Sequence, residues 1–129
     1  RQRKLDWLLS LGPAPGNDQV QDVLSSELPR WKTNPKLATA VLGALAKGRL
    51  PQVAGMVLGN MRAAQVEVNV FHYSMAISAC RGSGQWQLAL SLLHDMCDNR
   101  VELNTVSCNA AISACQKSGQ WQLAASLLN

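Results

Sequence analysis

Four cysteines and two histidines are the residues of this 129-residue chain best equipped for chemistry. Cys80, Cys97, Cys108 and Cys115 are of the type that ligates zinc or supplies a thiolate nucleophile. Zinc sites bring ligands in close pairs such as CxxC, and no such pair exists here. His72 and His94 have no ligand-like spacing to the cysteines, and no nucleophile–base constellation is visible. The sequence therefore predicts no enzyme, no metal and no cofactor. It predicts buried free thiols in a reducing compartment.

The spacing of two of these cysteines carries different information. Cys80 and Cys115 lie 35 residues apart inside two nearly identical stretches, "ISACRGSGQWQLALSLL" (77–93) and "ISACQKSGQWQLAASLL" (112–128). The period extends outward. Met61 and Met96 are spaced by 35, as are Asn34, Asn69 and Asn104, and as are Ala54, Ala89 and Ala124. Val66-Glu67-Val68 matches Val101-Glu102-Leu103. The chain thus divides into a diverged repeat at 34–68, a second at 69–103 and an incomplete third at 104–129.

Each period reads as two helices. From Val70 to about Arg81, Tyr73, Ala76, Ile77 and Cys80 form an i, i+3, i+4, i+7 stripe, with Ser74, Ser78 and Arg81 on another face. Ser83-Gly84 breaks the helix. From Gln85 to about Cys97 a second helix carries one stripe of Trp86, Ala89, Leu90, Leu93 and Met96 and another of Leu88 and Leu92. A helix apolar on two sides is sandwiched between neighbours, and stacked pairs bury both stripes in a solenoid. Trp86 and Trp121 each open a second helix. Packing between adjacent pairs is the plain reading for them, and base stacking the sharper one. Packing predicts a loss of roughly 3–5 kcal/mol for Trp86→Ala.

Composition agrees. Hydrophobic residues make up 47 % and charged residues 16 %, enough for a packed core and too apolar for a disordered tail. Ala and Leu dominate and Val and Ile rarely alternate with polar residues, so sheets are not expected. The net charge of +4 and pI near 9.1 are mildly basic, compatible with a nucleic-acid partner but weak for a dedicated small binder. No apolar run approaches the roughly 18 residues a membrane span requires.

Residues 1–33 do not follow the period. Leu5, Trp7, Leu8 and Leu9 suggest a short helix, Gly12 to Gly16 a loop, and Asn17-Asp18 the cap of a helix carrying Val20, Val23, Leu24 and Leu28 before Pro29. This is an N-terminal cap or a degenerate repeat; Arg1, Arg3 and Lys4 would suit a docking segment for an acidic partner or membrane surface. The start at Arg1 and the end at Asn129, inside an expected helix, suggest part of a longer protein.

Tetratricopeptide repeats run 34 residues and carry a late Pro missing from these copies. The segments "VFHYSMAISACRGSGQW" and "TVSCNAAISACQKSGQW", with Ala89, Leu93, Met96 and the connector "NRVELN", instead resemble the pentatricopeptide repeat (PPR) family. The wording looks like the variant abundant in dinoflagellate algae. The first copy departs at Leu50-Pro51, where the others have Gln-Trp, yet Pro fits the first turn of a helix. The resemblance implies an all-α, right-handed α-solenoid of helix-turn-helix repeats with a 35-residue period. It also implies a soluble or peripheral protein of a plastid or mitochondrion that binds single-stranded RNA one base per repeat.

Carried over residue by residue, the resemblance makes Thr39 with Asn69, and Ser74 with Asn104, the base readers of the first two copies, and Asn109 that of the third. A small hydroxyl with Asn implies adenine, and Asn109 leans to a pyrimidine. Phe71 and Val106 fall at the base-clamp position, where the first copy has the ill-suited Lys36. Lys47 and Lys117 fall at the phosphate-contact position; the second copy has Gly82 there, with Arg81 one residue before. Each of these would otherwise be an ordinary solvated helix face. A stacked and read base is worth roughly 1–3 kcal/mol, and a micromolar complex needs about 8 kcal/mol. Two or three repeats alone bind weakly. The alternative is a protein-docking scaffold or accessory subunit of a large organellar complex, in which another subunit or further repeats cover Leu123, Leu127 and Leu128.

Overall fold

The computed structural model describes residues 2–12, 14–82, 84–120, 122 and 126. Among them are eight helices and no strand: α1 (Gln2–Leu9), α2 (Asn17–Leu24), α3 (Leu28–Thr33), α4 (Pro35–Lys47), α5 (Pro51–Ala63), α6 (Val70–Arg81), α7 (Trp86–Asp98) and α8 (Thr105–Lys117). The side chains of Arg1, Arg3 and Lys4 lie outside the described residues, as do Ser83, Trp121, Leu123, Leu127 and Leu128.

The period of the sequence recurs in the backbone. Helices α4, α6 and α8 begin at residues 35, 70 and 105, and α5 and α7 at 51 and 86. Each start has a local cause. Pro35 and Pro51 occupy first turns, where the missing N–H is no loss. Asn69 and Asn104 cap α6 and α8, each side-chain oxygen accepting from the N–H three residues on, at 3.0 Å from His72 and 2.8 Å from Ser107. The turns closing α4, α6 and α8 share one bond, from the N–H of Leu50, Gln85 and Gln120 to the carbonyls of Leu45, Cys80 and Cys115. One residue before each donor the chain enters the left-handed region, at Arg49, Gly84 and Gly119. The turns after α5 and α7 repeat the device at Gln65 and Arg100.

Helix α6 is the centre of the molecule, packing against α4 and α8 on its two sides and against α5 and α7 behind. The first helices stand in a row, and small buried residues (Ala76, Ala79, Ala110, Ala111 and Ala114) let α6 and α8 approach closely. Behind them lie Val53, Ala54, Val57, Leu58 and Met61 from α5 and Ala89, Leu92, Leu93 and Met96 from α7. The stripe of Tyr73, Ala76, Ile77 and Cys80 is fully buried, as its spacing predicts.

The N-terminal segment folds differently from its expectation. Gly16, not Asn17, caps α2, and the helix stops at Leu24. Leu28 opens a separate helix with Pro29 in its first turn, the one helical position that tolerates proline. α2 packs on α5 and α3 on α4, and Trp31, Leu8, Val20, Val23 and Leu24 seal the end of the array.

Trp86 packs at the edge of the core only half-buried, because it stands at the first position of α7. Of the cysteines, Cys80 and Cys115 are buried and Cys108 partly so; Cys97 is exposed on the outer face of α7, contrary to the expectation of four buried thiols.

Candidate nucleic-acid interface

The row α4, α6, α8 contains no Asp or Glu. Its charged residues are Lys36, Lys47, Arg81 and Lys117, and Arg49 follows in the turn after α4. The acidic residues of the repeat region stand elsewhere: Asp95 and Asp98 on α7, Glu67 and Glu102 in connectors. A modest net charge therefore hides a segregated one. The row of first helices is cationic, and among the described residues Lys47, Arg49, Arg81 and Lys117 make no ion pair.

Two adjoining clefts run across this row. One, of about 620 Å³, is lined by Ala46, Arg49, Ser78, Arg81, Gly82, Ser113, Gln116 and Lys117. The other, of about 600 Å³, shares Ala46, Ser78 and Arg81 and adds Lys47, Met75 and the small residues Ala40, Gly43 and Ala44. Small residues on α4 thus leave the groove open, and the cations gather at the C-terminal ends of the helices. Positive side chains there also complement the helix dipole.

The expected readers Thr39, Ser74 and Asn109 sit about two turns back along the same helices, and Asn69 and Asn104 are the N-caps of α6 and α8. Ser74 is 2 % exposed. Its hydroxyl lies 2.8 Å from the Val70 carbonyl and 3.2 Å from Oδ1 of Asn104. The structure therefore joins the two expected readers of the second copy, and Asn104 covers Ser74, so the Ser74 hydroxyl is not open to a ligand. Thr39 bonds instead to the Pro35 carbonyl at 3.3 Å, and no hydrogen bond links it to Asn69. Asn109 is exposed on α8. Phe71 and Val106, at equivalent places on α6 and α8, are 61 % and 49 % exposed, and Lys36 of α4 is exposed as well. An exposed Phe in the first turn of the central helix is the kind of surface a stacking base would cover.

Two residues here escaped the sequence reading. His72 is buried, with Nε2 3.1 Å from the Pro35 carbonyl and Nδ1 accepting from the Asn69 N–H at 3.0 Å. Burial holds its pKa below the usual histidine value, against the opposing pull of the Pro35 hydrogen bond and the Glu67 charge. It ties α6 to the start of α4. The second is Arg49, whose signal was visible in the alignment of the copies: it stands where the other two have Gly84 and Gly119.

On the opposite side Arg62 of α5 reaches Tyr73 Oη at 2.7 Å and Asp95 of α7 at 3.2 Å. This polar cluster locks the second helices to α6, and burial pushes the Tyr73 phenol up in pKa. Among the described residues no helix is long and apolar enough to cross a membrane.

A row of equivalent helices with a shared polar groove defines a helical repeat protein. Residues 35–127 match the family described as "Pentatricopeptide repeat-containing protein", and the chain belongs to that family. No curated protein matches the chain. No solved structure matches it either.

Proposed function

We propose that the chain binds single-stranded RNA along the row α4, α6, α8, one base per repeat, as a section of a longer array in a plastid or mitochondrion. The observation that carries this reading is the acid-free row itself: four cations at one end of the groove, none of them ion-paired among the described residues, and Phe71 and Val106 exposed at equivalent positions at the other. In this reading Asn104, which closes over the buried Ser74, contacts a base through its amide N–H donors, Thr39 with Asn69 contact another, and Asn109 contacts the next. Phe71 and Val106 hold bases between them. Lys47, Arg81 and Lys117 face phosphates. An Asn amide suits the task because it both donates and accepts.

The experiment is fluorescence anisotropy with labelled A-rich RNA at two salt concentrations. Binding weaker than micromolar is expected, falling as salt rises with a slope near −0.7 per phosphate contacted. No binding at low salt would end this reading. The docking-scaffold alternative draws on the weak binding of so few repeats and on Leu123, Leu127 and Leu128, which lie outside the described residues; the open cationic groove supports RNA instead.

A further inference from the structure

We infer that Arg49 is a phosphate ligand that serves the second repeat from the first, occupying the place where that repeat lacks a lysine. The inference rests on the RNA reading of the groove and names a residue to which that reading assigns no contact.

Three copies are aligned by the period. At one position they have Lys47, Gly82 and Lys117; two residues on they have Arg49, Gly84 and Gly119. The second copy is thus missing a cation exactly one unit after the first copy has gained one. The geometry brings the two departures together. A Cβ built on Gly82 would stand 2.8 Å from Nε of Arg49, 2.9 Å from its Cζ and 3.0 Å from its Cδ. The guanidinium lies in the volume a side chain at residue 82 would fill, and only glycine leaves that volume vacant.

Arg49 reaches there from a backbone with φ of 56°. Both other copies put glycine at this left-handed position, so the turn does not require arginine for its own sake. Arg49 lines the same cleft as Arg81 and Lys117, beside the hydroxyl-bearing Ser78 and Ser113, and no carboxylate lines it. Three cations around an open cleft repel one another until an anion enters. A guanidinium fork beside hydroxyl donors matches the two non-bridging oxygens of a phosphodiester. The ligand class is the RNA backbone, and inorganic pyrophosphate shares its chemistry.

The test uses Arg49→Gly, which installs the residue of the other two copies, and the double variant Arg49→Gly with Gly82→Lys. Circular dichroism melts of both are expected to match the parent chain. Binding of labelled A-rich RNA across a salt series is expected to weaken severalfold in Arg49→Gly, with a slope shallower by about 0.7. The double variant recovers both. A parent-like slope in Arg49→Gly overturns the inference while leaving RNA binding standing. Loss without recovery in the double variant overturns the placement over residue 82. If the parent chain binds no RNA, pyrophosphate titration read at the Arg49 Nε–H resonance decides. A saturable shift keeps Arg49 as an anion ligand, and no shift removes it.

Discussion

Oδ1 of Asn104 accepts two hydrogen bonds at once, from the Ser107 N–H at 2.8 Å and from the Ser74 hydroxyl at 3.2 Å. The first caps α8. The second reaches back to the previous repeat. With its oxygen spent, Asn104 has only its two amide N–H donors left for a ligand. The single Ser74 proton is meanwhile shared between Asn104 and the Val70 carbonyl. Capping and the proposed base contact therefore use different atoms of one side chain, and they separate by substitution. Asn104→Ala removes both and is expected to cost about 1 kcal/mol of stability, the usual loss at a cap. Asn104→Asp keeps the capping oxygen and removes the donors. Its stability is expected to stay within a few tenths of a kcal/mol of the parent while RNA affinity falls about fivefold, the low end of one base contact. Parent-like RNA binding by both variants would take Asn104 out of the interface.

Much of the fold was legible because the array repeats its own packing. Ala, Cys and Trp recur at 35-residue spacing since each unit stacks on a similar neighbour, and Pro35, Pro51, Asn69 and Asn104 mark helix starts by their local chemistry. What stayed hidden depends on two units meeting in space. Ser74 has a polar side chain at a position that suggests solvent, yet Asn104 closes over it. Arg49 belongs to one repeat in sequence and to the next in position. The net charge of +4 averages over a cationic row and an acidic back, so its small size understated the groove.

His72 gives the fold a pH dependence of known sign. Its ring is buried, its Nδ1 already accepts from Asn69, and Glu67 is the charged group acting on it. Its folded-state pKa lies below the unfolded value of about 6.5, so folding is disfavoured where the unfolded chain takes the proton. The His72 contribution is complete above about pH 6.5 and is lost as pH falls through the folded value. Urea midpoints at pH 7.5, 6.5 and 5.5 should show the gap between parent and His72→Gln narrowing towards acid. A gap that stays constant would mean that His72 does not titrate differently on folding.

The thiols should separate by reactivity. Burial pushes Cys80 up to about 12, so at pH 8 almost none of it is thiolate, and burial raises Cys115 as well. Cys97 is exposed on α7 and Cys108 partly covered on α8. Iodoacetamide at pH 8, followed by peptide mass spectrometry, is expected to label Cys97 first and Cys108 more slowly. Cys80 and Cys115 should label only with denaturant. Early labelling of Cys80 would mean that α6 opens without global unfolding.

Two tryptophans should differ in what they hold together. Trp31 of α3 is 1 % exposed and sits with Leu24 and Leu28 in the sealed N-terminal end, so truncation leaves a cavity with nothing to fill it. Trp31→Ala is expected to cost about 3–5 kcal/mol. Trp86 recurs in the period, and its sequence position alone predicts a loss of roughly 3–5 kcal/mol. Its half-buried place at the start of α7 gives less transfer energy and lets water or neighbouring side chains enter the gap, so Trp86→Ala should cost roughly 1–2 kcal/mol. Urea denaturation of the two variants checks the order. A larger loss at Trp86 would mean that the junction between repeats, not the N-terminal seal, is the main source of stability in the array.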